Sequence, residues 1–238
     1  MARIRCWLIL GTLLLCVAIA GSATEFEYLA SGGGPSFGAF MPDLVEINDF
    51  LSGGGFAPFE GNLLLIGGTG GVAFAPGPTL SGGGWGAWAT STQAGLEAEY
   101  GVGLGGFELG YGVVGSENTV ATIGLMMGMG GGDLTLTGNP VDPVPVPLGI
   151  IPEPTAEHVY NSIFLVLAPY ADIQVNLLDF VGIRIRVGYL WSPLAYEWHD
   201  AGLPDAPHLA LDGLYVHATV VFGSIFEMDD DEELAGEL

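Results

Sequence analysis

The feature that most constrains this chain is a two-residue alternation of bulky apolar side chains with glycine and polar side chains. It runs through residues 95–115, 121–129, 163–177, 183–191 and 214–223. A period of two places alternate side chains on opposite faces of a β-strand. Beyond the N-terminal segment, no apolar run reaches the roughly 20 residues that a membrane-spanning helix needs. The chain is therefore predicted to be all-β.

One face of these strands is bulky and apolar, while the other holds glycine and nearly all of the charged strand residues. In a soluble barrel or sandwich the apolar face points inward. In a membrane barrel the apolar face contacts lipid and the other face fills the interior. Glycine, of which the chain has 40, suits a narrow interior where side chains from opposite walls compete for space. The membrane barrel is therefore favoured, with an exported soluble β-protein as the alternative.

Counting the alternating runs predicts an antiparallel up-and-down β-barrel of about eight strands. Gly105 and Gly106 separate two of the runs and are interpreted as a hairpin turn. The alternation changes phase near residues 130–132, which predicts a β-bulge there. The predicted strands cover residues 62–75, 79–91, 95–104, 107–114, 119–137, 158–177, 180–191 and 213–224.

An even number of strands brings both ends of the barrel to the same side of a membrane. If that side is the periplasm, the links at 91–95, 115–118 and 178–179 are short periplasmic turns. The long connections at 138–157 and 192–212 then lie outside the cell. Short inner turns and long outer loops are typical of outer-membrane barrels.

The first residues have the layout of a secretory signal peptide. Two arginines precede an apolar run and a small-residue cleavage site that ends at Ala20 or Ala23. Both cysteines lie in this segment, so the exported chain would have no disulfide. The predicted domains are the signal peptide at 1–23, an N-terminal segment at 24–61 with a short helix at 42–51, the barrel at 62–226 and an acidic tail at 227–238.

The short helix is predicted from three features. Pro42 can occupy its first turn, Leu44, Ile47 and Leu51 share one face, and glycines follow at 53–55. The helix either caps one end of the barrel or belongs to a loosely attached periplasmic segment.

The charge balance is strongly acidic. The chain has 27 Asp and Glu against 4 Lys and Arg, which gives a net charge of −23. Arg3 and Arg5 belong to the signal peptide, so 4 − 2 = 2 cations remain, Arg184 and Arg186. Phosphate binding needs basic residues, and nucleic acid is therefore excluded as a partner.

Catalytic motifs lack the structural context that their chemistry needs. Residues 34–38 match G-x-S-x-G, but no strand is predicted before the serine and no helix directly after it. Gly101, Gly103 and Gly106 match the glycine pattern of dinucleotide-binding proteins, yet a strand follows instead of a helix. The chain is predicted not to be an enzyme and to bind no cofactor.

Metal sites are not indicated either. His199, Asp200, Asp205 and His208 share one loop, but their spacing fits no metal-binding template. The acidic residues 229–233 lack the alternating ligands and the glycine of a calcium loop. Both groups are interpreted as solvated surface residues.

The two remaining arginines lie two residues apart and therefore share one strand face. That face is opposite Ile183, Ile185 and Val187, so it points inward in a membrane barrel. A charge away from water is costly unless it is paired. We therefore predict a structural ion-pair cluster that holds opposite walls together and closes the lumen to large solutes. Its candidate members are Arg184 and Arg186 with some of Glu97, Glu99, Glu108 and Asp172.

Aromatic side chains concentrate at the end of one predicted strand. Tyr189, Trp191, Tyr196 and Trp198 lie within ten residues of one another. Tyrosine and tryptophan gather at the two membrane–water interfaces of a membrane barrel. The cluster is interpreted as part of such a girdle, or alternatively as a loop packed on a soluble core.

The segment DGLYVHATVVFG, residues 212–223, is similar to the closing strand of bacterial outer-membrane barrels. Together with the alternation over 62–226, it makes the chain resemble a small outer-membrane β-barrel protein of the eight-stranded class. The resemblance implies recognition by the outer-membrane assembly machinery through a final aromatic residue, Phe222 or Phe226. The chain departs from this pattern because EMDDDEELAGEL follows.

Two functions are compatible with these features. The first is an outer-membrane barrel in contact with outer-membrane lipid, with a structural or barrier role or as a pore for a small solute. The second is an exported soluble β-barrel or sandwich, periplasmic or secreted, that acts as a carrier or as a surface-adhesion module. The two make opposite predictions about which strand face contacts water.

Overall fold

The computed structural model describes residues 27–138, 145–146, 149–150, 157–199, 207, 209 and 212–228. The predicted signal peptide and most of the predicted tail lie outside these residues. One helix, α1, spans Val45–Gly53. The strands are β1 Tyr28–Pro42, β2 Leu63–Ala75, β3 Gly77–Gln93, β4 Leu96–Ser116, β5 Thr119–Thr137, β6 Pro145–Val146, β7 Gly149–Ile150, β8 Glu157–Leu178, β9 Val181–Leu190, β10 Ala195–His199, β11 Gly213–Phe222 and β12 Ile225–Glu227.

Eight of the strands close into a ring. Each pairs antiparallel with its neighbours, in the order β1, β2, β3, β4, β5, β8, β9, β11 and back to β1. The short strands β10 and β12 lie beside β8 and β1, and β6 pairs only with β7. The predicted antiparallel barrel of about eight strands with a short N-terminal helix is therefore confirmed.

Two of the eight strands differ from the prediction. The barrel begins at Tyr28 and not at residue 62, because β1 pairs with both β2 and β11. Gly105–Gly106, the predicted hairpin, lies in the middle of the single strand β4, where Gly105 pairs with Gly84 on one side and Met129 on the other. The middle of β1 reads GGGPS, a composition that indicates a loop. One strand is gained and one lost, so the count stays at eight.

The barrel has two ends, which we call the turn end and the helix end. The turn end carries both termini of the ring and the tight links at 76, 117–118 and 179–180. The helix end carries α1, the hairpin at 94–95 and the long connections from β5 to β8 and from β9 to β11. The link at 91–95 therefore lies at the end opposite to the predicted one, because β4 crosses the barrel only once.

Helix α1 closes the helix end. Its Ile47 and Leu51 side chains are buried and belong to the same apolar core as Phe40. The Asn48 side chain holds the segment that follows the helix, since it donates to the carbonyl oxygen of Phe59 and accepts from its N–H. Of the two interpretations of this segment, the structure has the one in which the helix caps the barrel.

The helix occupies Val45–Gly53 and not 42–51, because Pro42 still belongs to β1 and pairs with Gly213. Glu46 lies in its first turn, where a carboxylate favours the positive end of the helix dipole. In the part of the chain that the structure describes, no helix combines the length and the apolar character needed to cross a membrane.

Along the long strands, the apolar side chains change from the outer face of the wall to the inner face. In β4 the even-numbered residues point inward as far as Gly112, after which the register with β5 shifts. Toward the turn end, the inward residue is Glu108, while Phe107 and Leu109 point outward and are exposed. Toward the helix end, the inward residues Leu96 and Tyr100 are buried and the outward ones are glycine or glutamate. The apolar face of β4 is thus the outer one near the turn end and the inner one near the helix end.

Strand β5 shows the same exchange without any bulge. Its outward residues change from Met127 and Met129 to Asp133, while even-numbered residues stay inward as far as Leu136. The predicted bulge near 130–132 is wrong, because the register with β4 and β8 is continuous there. The phase change in the sequence marks the point at which the apolar side chains change from the outer to the inner face.

The continuity of β4 can be tested with two of its glycines. A Cβ atom on Gly106 would meet the main-chain oxygen of Met127 and lie 2.8 Å from Cα of Gly128, whereas one on Gly103 would meet nothing within 4 Å. We expect Gly106→Ala to lower the free energy of unfolding by about 1–3 kcal/mol, as overpacking does. Gly103→Ala should leave it unchanged or slightly higher, because alanine restricts the unfolded chain. Denaturant titration of the refolded barrel measures both, and equal losses would contradict opposite faces for these glycines.

Candidate functional site: the charged cluster in the lumen

The polar part of the interior is organised around Arg186 on β9. Its Nη1 donates to Oε1 of Glu108 at 2.6 Å and its Nη2 donates to Oε2 at 2.9 Å. Its Nε and Nη2 also donate to Oδ2 of Asp172, at 3.1 and 2.7 Å. All three side chains are buried. Arginine suits this position because its planar guanidinium can bind two carboxylates at once.

These ion pairs join separate parts of the wall. Asp172 lies on β8 and pairs directly with Arg186 in the sheet register. Glu108 lies on β4, which is separated from β9 by β5 and β8, so its bond to Arg186 crosses the lumen. Ser81 on β3 donates to Oε2 of Glu108 at 2.5 Å. A continuous set of contacts therefore links β3, β4, β9 and β8.

Tyr170 on β8 covers the guanidinium group. Cζ of Arg186 lies 3.8 Å from the centre of the Tyr170 ring, which is within the range of cation–π attraction. Gly124, the partner of Tyr170 on β5, makes this ring position possible. A Cβ atom on Gly124 would lie 2.6 Å from Cζ of Tyr170. Here glycine is required by the close approach of an aromatic side chain.

Arg184 lies beside Arg186 on the same inner face and is also buried. Its Nε and Nη2 donate to Oε1 of Gln174, at 3.2 and 2.6 Å. The Gln174 amide in turn donates to Oδ1 of Asn176 at 3.2 Å. Two arginines and two carboxylates thus balance in charge within the lumen, and pairing of this kind is what makes buried charge tolerable.

Glu97 and Glu99 are not part of this cluster. Both lie on the outer face of β4 near the helix end, where their side chains are exposed. Their assignment to the lumen was wrong because β4 is one strand, so these glutamates point to the same side as Phe107. The structure therefore brings together four of the six candidates, namely Arg184, Arg186, Glu108 and Asp172.

Further polar residues in the lumen had no motif that identified them. Ser36 on β1 and Thr219 on β11 are buried and hydrogen-bonded at 2.7 Å. His217 is buried between Trp85 and Tyr215, with ring centres 5.3 and 5.8 Å apart. Ser36 is the serine of the G-x-S-x-G match, and it lies within a strand. The parity of β11 places His217 and Thr219 inward, but the glycine-rich β1 gives no such signal for Ser36.

The metal-site candidates fall largely beyond what the structure describes. Asp200, Asp205 and His208 lie outside the described residues, and the side chain of His199 is not described either. Within residues 27–138, 157–198 and 212–228, no group of three or more His, Cys, Asp or Glu is arranged to hold a metal ion.

Apolar side chains close the lumen on both sides of the cluster. The core that includes α1 lies toward the helix end, and a smaller group of Ala30, Ala75 and Val120 lies toward the turn end. One apolar cavity of about 20 Å³ lies within the core that includes α1, and another of about 20 Å³ lies beside the cluster. A cavity of this size holds about one water molecule. Around these two cavities the lumen is filled by side chains.

No protein-family model matches the chain, and no curated protein matches its sequence. Among solved structures, it is similar to Ail, the attachment invasion locus protein of Yersinia pestis, in complex with the heparin analogue sucrose octasulfate. The identity is 10%, the match covers 83% of this chain and 100% of the Ail chain, and the TM-score is 0.44. A second crystal structure of Ail has the same identity and coverage with a TM-score of 0.42. At these values the function must be inferred from the chain's own geometry.

Removal of Arg186 should be the most damaging single change in the lumen. Arg186→Ala leaves Glu108 and Asp172 buried without the cation that hydrogen-bonds to both, and breaking a buried pair in this way costs about 3–5 kcal/mol. We expect the heat resistance of the folded barrel to fall sharply at neutral pH. It should recover partly in acid, because protonation neutralises the stranded carboxylates. The shift in gel mobility between folded and heat-unfolded barrel measures the effect.

Arg184→Ala is the matched control on the same strand face. It removes a cation that donates to an amide, so we expect a smaller loss and a weaker dependence on pH. A double variant of Arg184 and Arg186 with the parent's heat resistance would show that the cluster does not stabilise the barrel.

Proposed function

We propose that this chain is a bacterial outer-membrane barrel with a structural or barrier role. The observation that carries the proposal is a belt of exposed, large apolar side chains on the outer face. A soluble barrel would bury such side chains, whereas a membrane barrel presents them to lipid. Each strand of the ring contributes to the belt, for example through Phe37, Leu64, Leu80, Phe107, Met129, Leu165, Ile185 and Val216.

The sheet register indicates where the belt ends. One row of outward residues across five strands consists of Trp88, Gly101, Asp133, Asn161 and Trp198. Rows nearer the turn end carry glycine and large apolar side chains, and rows nearer the helix end carry mostly threonine and glutamate. Because tryptophan favours the membrane–water interface, the two tryptophans of this row fit the edge of the proposed membrane-embedded part.

The aromatic residues near the end of β9 support the same boundary. Tyr196 and Trp198 on β10 stack with their ring centres 6.0 Å apart, and Tyr196 is largely exposed. Trp191 bridges to Leu167 on β8. Aromatic side chains at this level fit an interfacial girdle, because their rings are apolar and their polar atoms can reach water.

The packed lumen supports a barrier role over a small-solute pore. The ion pair between β4 and β9 crosses the interior, and the two cavities described above measure about 20 Å³ each. A solute would have to break buried ion pairs and displace apolar side chains to pass. Nothing in this arrangement resembles catalytic machinery, so we propose no enzymatic activity.

The proposed orientation follows from the connections. Short turns face the periplasm in outer-membrane barrels and long connections face outward, so the turn end would be periplasmic and α1 would close the outer end. Outer-membrane lipid then contacts the belt. Phe222 and Phe226 are exposed on the last strands, where the assembly machinery of the outer membrane would bind.

One observation favours the alternative of an exported soluble barrel that acts as a carrier or surface-adhesion module. Near the helix end, β4 is apolar inside and carries Glu97 and Glu99 outside, as a soluble barrel does. The same alternative leaves the exposed belt nearer the turn end unexplained. In the proposed membrane barrel, the helix-end part of the wall simply extends beyond the lipid.

A pair of lysine substitutions separates the two functions. Val187 points outward in the belt and is 53% exposed, whereas Thr90 points outward beyond the tryptophan row and is also exposed. In phospholipid bilayers we expect Val187→Lys to lower the free energy of unfolding by about 2–4 kcal/mol, as lysine near the bilayer centre does. Thr90→Lys should have little effect. If both variants equal the parent, the membrane barrel is wrong and the soluble alternative stands.

The barrier role has its own test in planar bilayers. Because the described lumen is filled, we expect the refolded protein to insert without stepwise conductance and to leave liposomes impermeable to small sugars. A known outer-membrane porin serves as the positive control for insertion and swelling. Reproducible conductance steps that disappear when the protein is omitted would replace the barrier role with the pore.

A further inference from the structure

The apolar cavity lies in the part of the barrel that the belt surrounds. Its volume is about 20 Å³, and its walls are apolar and aromatic side chains. Protein interiors rarely leave such a void unfilled, because the atoms that line it lose packing contacts. The lining residues that matter below are Leu65, Trp85, Ala87 and Met126.

The barrel wall beside this cavity is not closed by backbone hydrogen bonds. The ladder between β2 and β3 ends at the pair Ile66 and Gly86. Both strands continue past that pair, β2 to Leu63 and β3 to Gln93. Leu65 and Ala87 are the first residues beyond the ladder, and both line the cavity. We call the gap between residues 63–65 and 87–89 the seam.

The seam opens at the edge of the proposed membrane-embedded part. Leu64, Ile66 and Trp88 are the outward residues on its two sides, and all three are exposed. Trp88 is one of the tryptophans that fit the membrane–water interface. In the proposed orientation the seam therefore lies at the level where the hydrocarbon of the outer leaflet begins.

We propose that the seam admits the end of a hydrocarbon chain from the surrounding lipid into the apolar cavity. This inference rests on the proposed membrane location. A chain end moves from one apolar environment to another, so it enters without a desolvation cost and gains packing contacts with the walls of the void. Met126 on β5 lines the cavity, and its unbranched side chain can change shape to make room. The chain could come from a membrane phospholipid or from a free fatty acid.

Trp85 is a built-in reporter of the cavity, because bromine atoms on a hydrocarbon chain quench indole fluorescence on contact. We would replace Trp7, Trp88, Trp191 and Trp198 with phenylalanine in the full chain, which leaves Trp85 alone. A second variant keeps Trp88 alone and reports on the belt. Each is refolded into two bilayers, one of phospholipid brominated near the chain ends, the other of plain phospholipid with a fatty acid brominated at the same position.

We expect Trp85 to lose most of its emission in at least one bilayer. Quenching by the phospholipid alone identifies a membrane lipid chain, and quenching only with the fatty acid identifies a free acid. If Trp85 keeps its emission in both bilayers, the chain does not enter and the inference is overturned. If Trp88 is not quenched in a third bilayer, of phospholipid brominated next to its headgroup, the membrane location itself fails.

A blocking variant shows whether bromine reaches Trp85 through the seam or acts through the wall. Ala87→Leu fills the cavity and should restore the emission of Trp85, whereas Ala121→Leu, on the outer face of β5, should not. Quenching that persists in a folded Ala87→Leu barrel would overturn the inference.

If Ala87→Leu does not fold, a disulfide between Leu64→Cys and Trp88→Cys can close the seam, with Cys6 and Cys16 replaced by serine. Leu64 and Trp88 each lie two residues beyond the last pair of the ladder, Ile66 and Gly86, on their own strands. We expect Trp85 to be quenched only after reduction. Equal quenching of the oxidised and reduced barrels would overturn the inference.

Discussion

The structure depends on one constraint: the polarity of the barrel interior must complement that of the surroundings outside the wall. Where lipid would surround the barrel, apolar side chains gain nothing by pointing inward, because lipid is as apolar as a protein core. There part of the interior is polar and is held by the ion pairs of Arg186. Where water surrounds the wall, the hydrophobic effect acts. There the interior is the apolar core that includes Leu96 and α1, with Glu97 outside.

The charged cluster is stable only because the rest of the barrel isolates and pairs it. Removal from water strengthens the attraction between Arg186 and its carboxylates, but it also makes any unpaired charge expensive. Each of the two carboxylates accepts two hydrogen bonds from the guanidinium, and Tyr170 covers its face. The apolar groups at both ends keep water away from these bonds. The charged cluster is therefore stable only while the lumen around it is closed.

Parity in the sequence was enough to predict the fold class and the charged residues of the site, with two glutamates wrongly added. It placed Arg184, Arg186 and Asp172 inward, because β8 and β9 keep one apolar face over most of their length. It failed for Glu97 and Glu99, because the apolar side chains of β4 change from the outer to the inner face midway. A two-residue alternation looks the same for a hairpin and for a strand whose apolar side chains change face. In both cases the alternation shifts by one residue. β1 is rich in glycine and shows no clear alternation in its sequence. Only its pairing with β2 and β11 in the structure identifies it as a strand of the barrel.

The exchange of faces also accounts for where the glycines lie. The glycine-rich parts of five successive strands are neighbours in the sheet, as the pairs of Gly33 with Gly70 and Gly84 with Gly105 show. At this level neither face requires a bulky side chain, because the polar interior gives way to the apolar core and, in the proposed membrane barrel, lipid gives way to water. An eight-stranded barrel is also narrow enough for opposite walls to compete for space, and a Cβ atom on Gly33 would lie only 2.6 Å from Cα of Gly70. Glycine weakens a strand. In this band, however, it lets neighbouring backbones approach closely, which allows the sheet to close into a barrel.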